Sequence, residues 1–428
     1  MKQHRTHSRH QSLILTGCLT VLAGLTAIGM AFFILNRYPK YAALGADELR
    51  NLIGDERVAR LETVVLQAED WMHQLRYKIT KEPSPAPWNN GPTTSNSSAS
   101  SLPGPSVGTT SGKDNSPKSL PAAPASKLPS AGSQLFTNLQ KSTGISSGEW
   151  FLPSLPSMGN IAGEGTWQPY LRDSTGRVVA ERTFLQPDPQ RPYAVVAIVA
   201  FDLENTRLHF VLGTTEPKSD VSIPRSGTIP AVDMAPGVLL AAFNGGFRAQ
   251  DGHFGTEVNG VTLIPPRDGL GTVAIFADGT VQIGEWGTEI TPKPDLVIIR
   301  QNGPLMIHDG QISPNIADNN PTDWGYTLGG KVATYRSALG ISSDGRTLYY
   351  AAGGGVTRPE MALALQVAGV YQAVQLDIND YWVHFDRIQF VGHKVIADPL
   401  LPAMKQEDDQ RYLKGFTRDY FYVTTTVK

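Results

Sequence analysis

Three polar clusters hold side chains able to do chemistry. The first, Asn244 to Gly255 (NGGFRAQDGHFG), directly follows the apolar stretch Val238 to Phe243. Gly245 and Gly246 allow backbone N–H groups close to a ligand, and Asn244 offers an amide donor and a carbonyl acceptor, a set that suits a sugar or a phosphate. The same pattern describes a turn in which Asn244 only braces the loop. An imidazole is the side chain best suited to carry a proton at physiological pH, which makes His253 a candidate acid or base, or else a loop-bracing surface group. The second cluster, Tyr335 to Gly340 (YRSALG), sets Arg336 before a run of small residues. An arginine fork grips two oxygens of a phosphate diester in one plane, or pairs with a structural carboxylate. The third, Gln375 to Trp382 (QLDINDYW), ends a strand-like run in a carboxylate, an amide and aromatic rings. Asp377 is a candidate acid/base, nucleophile or metal ligand, Asn379 a candidate substrate contact or turn former, and Trp382 a flat face for a sugar ring or a core aromatic. Asp251, Asp377 and Asp380 have the oxygen chemistry of a Ca²⁺ or Mg²⁺ site, although no ligand spacing demands a divalent cation.

The elements around these clusters are short β-branched and aromatic runs such as Tyr193 to Phe201, Leu208 to Leu212 and Val273 to Phe276. They are punctuated by Asn259-Gly260, Asp278-Gly279, Asp309-Gly310 and Asp344-Gly345, the pairs that tight hairpin turns require. One helix is signalled by Thr357-Arg358-Pro359-Glu360, which has capping-box spacing, with Gly369 placed to end it; a strand follows over Ala373 to Ile378. This grammar predicts an α+β domain over 148–428, a mixed, mainly antiparallel sheet with packed helices.

The first 133 residues read differently. A basic tail over 1–12 precedes Leu13 to Leu35, 23 residues without a charge. At about 1.5 Å per residue that run spans the hydrocarbon core as a helix. Lys2, Arg5 and Arg9 favour a cytoplasmic N-terminus, and the run ends in FFILNRYPKY without a small-x-small site, so a single-pass signal anchor at the cell membrane is expected over a cleaved signal peptide. Residues 42–80 read as a stalk helix, with Leu61, Val65, Ala68, Met72 and Leu75 in 4-3-4-3 spacing. The stripe rests on lipid or the main domain, or pairs with a second copy in a homo-oligomer. Residues 82–133 are dominated by Pro, Ser, Gly, Thr and Ala and read as a disordered tether that leaves the C-terminal domain extracytoplasmic.

Composition removes several function classes. With 37 basic against 39 acidic side chains the chain has no global attraction for nucleic acid, and its single Cys18 rules out intrachain disulfides and cysteine-rich metal sites. P-loop, H-E-x-x-H, G-x-S-x-G and strand-following G-x-G-x-x-G motifs are absent.

Taken in order, Phe243-Asn244-Gly245-Gly246-Phe247, Gln301-Asn302-Gly303-Pro304-Leu305, Arg336-Ser337-Ala338-Leu339-Gly340 and Gln375-Leu376-Asp377 make the stretch from about Gly163 to Val423 resemble the phosphodiester glycosidase family. Gly163-Glu164-Gly165-Thr166-Trp167-Gln168-Pro169 and His253-Phe254-Gly255 look like a bacterial, membrane-anchored subgroup. Where many members continue D-G-G-G-S, this chain has Asp377-Ile378-Asn379-Asp380-Tyr381. The resemblance implies hydrolysis of a glycosyl phosphodiester at the anomeric carbon, in cell-envelope or exopolysaccharide metabolism. Arg336 and the loop after Asn244 would then stabilise the phosphate, and Asp377 or His253 would activate water. Two other classes stand beside it: a non-catalytic binder of anionic cell-wall glycans, and an anchored scaffold acting through the stalk helix.

Overall fold

Asn-Gly and Asp-Gly turns set the architecture. Asn259 and Gly260 adopt φ of 51° and 75°, and Asp309 and Gly310 of 52° and 73°, the doubly positive geometry that closes a two-residue hairpin. The other two pairs close hairpins as well, so all four join strands adjacent in one sheet. In this computed structural model the described residues are 38–81, 86–88, 150–318, 324, 329–404 and 410–426.

Eight strands form the largest sheet, in the order Gln168–Arg172, Val178–Leu185, Val195–Asp202, Thr347–Val356, Thr334–Ile341, Gln372–Ile378, Leu305–His308 and Gln311–Ile312. A five-stranded sheet runs Lys394–Pro399, Phe385–Val391, Leu239–Asn244, Tyr420–Thr425 and Thr206–Val211. Another runs Val261–Ile264, Thr256–Val258, Leu296–Gln301, Gly271–Phe276 and Val281–Glu285. Among the described residues every strand ladder is antiparallel and the one parallel contact is the isolated bridge Trp286–Ile290, so the mainly antiparallel character with a few helices holds and only its mixed part is corrected. Hairpin connections explain this, since parallel neighbours need long crossovers.

Phe201 and Tyr350 of the large sheet meet Phe243 and Phe385 of its five-stranded neighbour, with ring centroids 4.7 to 6.5 Å apart. Each fully buried ring of this kind contributes about 1.5–3 kcal/mol. The helix Arg358–Val367 starts at the expected capping box, Thr357 Oγ1 accepting from Glu360 N and Glu360 Oε2 accepting from Thr357 N, and it gives way to Gly369 at φ 85°.

The expected helix over 42–80 is two helices. Helix α1 (Pro39–Ile53) and helix α2 (Asp55–Thr80) are broken by Gly54 at φ 88°, a conformation that only glycine adopts at little cost. Arg50 reaches from α1 to Glu62 of α2 at 2.7 Å. The pair also belongs to the same compact unit as the sheets. Its 4-3-4-3 stripe stays largely solvent-facing, with Leu61 56% exposed, while Val58 is buried. Among the described residues no helix is long and apolar enough to cross a membrane; Leu13 to Leu35 lies outside them, as does the tether apart from 86–88.

Candidate functional site

The three sequence clusters meet at one joint. Asn244 Nδ2 donates to Ser337 Oγ at 2.9 Å, and Ser337 Oγ both donates to Asp377 O and accepts from Asp377 N at 3.2 Å. Asn244 Oδ1 accepts from Tyr350 OH at 2.9 Å and from His384 N at 3.2 Å. This amide is therefore used to lock three strand ends together, which fixes where the Asp377 backbone stands.

The paired glycines answer a packing demand. A Cβ on Gly245 would stand 2.5 Å from Asp419 Oδ2, and one on Gly246 would stand 2.7 Å from Asn302 Oδ1 and 2.9 Å from Arg300 Cζ. Those neighbours form a buried frame. Arg300 pairs with Asp419 at 2.7 Å, and Asn302 Oδ1 accepts from Phe247 N at 3.1 Å while its Nδ2 donates to the carbonyls of Gln375 and Leu376. Breaking one partner of such a buried ion pair costs about 3–5 kcal/mol, so neither glycine position tolerates a side chain.

The frame delivers Arg418 to Asp377. Strand Tyr420–Thr425 pairs with Leu239–Asn244, Tyr420 opposite Asn244, which runs the preceding residues beside the glycine loop. Arg418 Nη2 donates to Gly246 O at 2.9 Å and lies 2.5 Å from Asp377 Oδ2, and its guanidinium sits 4.5 Å from the Trp382 ring centroid. Asp377 Oδ1 accepts from Ile378 N at 2.8 Å. Burial pushes the Asp377 carboxyl up to about 7, although Arg418 and the Ile378 N–H pull downward. Burial and the nearby Glu69 push Asp380 up to about 6. Both acids therefore change charge close to neutral pH, a property common at catalytic sites. They face a cavity of about 960 Å³ that Asn379 and Trp382 also line.

Helices α1 and α2 cover one side of this cavity. Asp47 of α1 pairs with Arg248 at 2.6 Å, and Arg248 pairs with Asp251 at 3.0 Å. Farther along, Asp70 of α2 accepts from Arg191 at 2.9 Å and from Tyr193 OH at 2.7 Å. Between these anchors Leu66 packs against the cluster that contains Phe247 and Ile378. The charge chain Asp251–Arg248–Asp47–Arg50 thus ties the helices to the glycine loop.

Of the residues singled out from sequence, Asp251, Asp377, Asn379, Asp380 and Trp382 line the cavity. Asn244, Gly245 and Gly246 lie behind it, where Gly246 lends its carbonyl to Arg418. Asn379 takes φ 92°, and its Oδ1 accepts from Tyr381 N at 2.8 Å, so a short polar side chain supports the left-handed backbone.

Two assignments change. Arg336 is fully buried and does not line the cavity; it donates to the carbonyls of Val356, Gly329 and Val332 and to Gln375 Oε1 at 2.9 to 3.2 Å. Its small-residue strand is enclosed on all sides, so the fork that suits a phosphate serves protein carbonyls, and burial with Arg358 nearby lowers its pKa to about 9. His253 is exposed, at φ 49° at the end of the short helix Ala249–Gly252, and it lines a separate depression with Lys218 and Arg225. Neither position touches the Asp377 side chain.

Among the described residues, the carboxylates and imidazoles that converge as a metal ligand set are Glu289, His308 and Asp309, all exposed; Asp251, Asp377 and Asp380 do not converge in this way. Sequence reasoning missed Arg418. It lies 41 positions beyond Asp377 and belongs to no motif, and only the strand pairing of Tyr420 with Asn244 brings it in.

We expect Arg336→Lys to reduce stability and to leave turnover of the folded fraction near normal. A lysine reaches fewer of the four acceptors, and each buried acceptor left bare costs about 1–3 kcal/mol. Thermal unfolding together with activity per folded molecule checks this; a stable variant with lost activity would return Arg336 to the site.

Residues 238–377 match a family model described as phosphodiester glycosidase. Among solved structures, the chain is similar to the zebrafish N-acetylglucosamine-1-phosphodiester alpha-N-acetylglucosaminidase catalytic domain auto-inhibited by pro-peptide, at 14% identity over 61% of this chain and 88% of that one, TM-score 0.39. It is also similar to a hypothetical protein from Synechocystis at 12% identity over 60% and 62%, TM-score 0.27. No curated protein matches the sequence.

Proposed function

From the phosphodiester glycosidase domain that the chain carries at residues 238–377, we propose that this protein hydrolyses the bond between the anomeric carbon and the phosphate oxygen of a glycosyl phosphodiester. Water adds to the sugar carbon, the electron pair of the broken bond leaves on phosphate, and the products are a free sugar and a phosphomonoester. The observation that carries this reading is the contact of Arg418 with Asp377, 2.5 Å, inside a cavity that Trp382 also lines.

A phosphate leaving group needs little protonation, so the demands are activation of water and stabilisation of a second negative charge on phosphate. Asp377, with a carboxyl near 7, takes the proton of the attacking water. Arg418 has a planar fork of N–H donors beside that carboxylate and meets the charge that grows on the phosphate. Trp382 gives the sugar an apolar face whose far side is backed by the Arg418 guanidinium. A panel of sugar-1-phosphodiesters, with and without chelator, tests the activity through release of sugar and phosphomonoester. Binding without release across the panel would favour the reading as a non-catalytic binder of anionic glycans.

The setting proposed is extracytoplasmic, in cell-envelope or exopolysaccharide metabolism, with Leu13 to Leu35 as an uncleaved membrane anchor. Protease added to intact cells should release a soluble C-terminal fragment by cutting within 82–133. A mature N-terminus found shortly after Leu35 would mean a cleaved signal instead.

A further inference from the structure

The cavity is larger and less polar than a sugar and a phosphate need. At about 960 Å³ it lies near the top of the range for small-molecule sites, roughly 300–1,000 Å³. Arg418 meets Asp377 in its lining, and the helical pair adds Arg50, Glu62, Glu69, Asp70 and His73. The same helices also present Leu49, Leu61, Val65 and Leu66, and Leu401 and Pro402 of the main domain line the same space. Leu61 and Val65 are 56% and 45% exposed, so this apolar row is an open surface and not a closed core. An occupant that satisfies both Arg418 and the apolar row is an anion with a hydrocarbon tail.

The position of that wall in the chain says where such a molecule would come from. Only three residues, Asn36, Arg37 and Tyr38, separate Leu35 from Pro39, the first residue of α1. Fully extended, three residues reach roughly 11 Å. If Leu13 to Leu35 is the anchor proposed above, α1 starts within the headgroup region, and the apolar wall is built from the part of the protein nearest the lipid.

We propose that the substrate is a lipid-linked glycosyl phosphodiester, a sugar joined through one phosphate to a long alkyl or isoprenoid alcohol, whose first hydrocarbon units lie along Leu49, Leu61, Val65 and Leu66 while the phosphate meets Arg418. This rests on the glycosidase reading and narrows it. The bond broken is unchanged: water adds to the anomeric carbon, and the lipid departs as its phosphomonoester. Leu66 sets the depth of the apolar wall, because it packs beside Ile378 and Phe247 at the inner end.

The test uses the full chain in phospholipid nanodiscs and matched methyl and decyl esters of the same sugar-1-phosphates. The decyl ester should be turned over with a kcat/KM on the order of 10² above the methyl ester, since several methylenes leave water on binding. Leu61→Asp should collapse that ratio toward one; a ratio is unmoved by a general loss of folded protein. Equal turnover of the two esters by the unaltered chain overturns the lipid proposal and leaves the glycosidase reading standing. If no ester is hydrolysed the glycosidase reading falls, and binding of decyl phosphate against methyl phosphate decides the site by itself. Tighter decyl binding by at least tenfold that Leu61→Asp removes upholds the apolar site, and decyl binding unchanged by Leu61→Asp, or no tighter than methyl, overturns it.

Discussion

Asp377→Asn should lower kcat by about 10² to 10⁴, the range lost when a positioned acid or base is removed, while substrate binding persists. The substitution keeps the shape of the side chain and its acceptance from Ile378 N at 2.8 Å, and removes only charge and basicity. A pH signature goes with it. Because the carboxyl stands near 7 and acts as a base, kcat/KM should rise with pH through an apparent value near 7, and the variant should lack that limb. Stability should show the opposite trend. A carboxyl raised in the folded state holds its proton where the unfolded chain has released it, so its contribution is complete below about 4 and is lost as pH rises through about 7. Asp377→Asn should therefore flatten the decline in stability between those values, read from thermal midpoints across pH. A variant with a normal rate and an unchanged pH limb would remove Asp377 from proton transfer.

Arg418→Met should cost roughly 10² to 10³ in kcat/KM, comparable to loss of one donor aimed at developing charge. The expected direction of a second effect separates its electrostatic role from packing. Arg418 lowers the pKa of Asp377, so without it the carboxyl rises further and the activity limb should move to higher pH. Arg418→Lys keeps the charge and should leave the limb nearer its original position, yet it should recover only part of the rate because a point charge lacks the planar fork. Rate loss with a stationary limb in Arg418→Met would assign the residue to packing on Trp382 and to the hydrogen bond with Gly246 O.

Local signals carried far in this sequence. Each of the four turn pairs closes a hairpin, and the capping box at Thr357 starts a helix, because those features are decided by the φ preferences and hydrogen bonds of neighbouring residues. Asp377, Asn379 and Trp382 were readable for a related reason: they follow one another at the end of one strand. What depends on distant pairing was not readable. Arg418 arrives through a strand that ends the fold, and Arg336 turns inward because carbonyls of Gly329, Val332 and Val356 surround it. Helices α1 and α2 carried a correct helical periodicity, and the break between them is local to Gly54, but the anchors at Arg248 and Arg191 come from partners more than 100 residues away. The amide of Asn244 shows how one motif serves two readings: it looked like a ligand contact and instead fixes the strand that carries Asp377.

The position of bond cleavage tests the central claim most directly. Hydrolysis of a sugar-1-phosphodiester in ¹⁸O-labelled water, followed by mass spectrometry of the phosphomonoester, reports which bond breaks, because phosphate oxygens do not exchange with water under these conditions. Attack at the anomeric carbon predicts a phosphomonoester without label. Label in the phosphomonoester would mean that water attacks phosphorus, and the assignment of Asp377 and Arg418 to glycosyl transfer to water would be wrong.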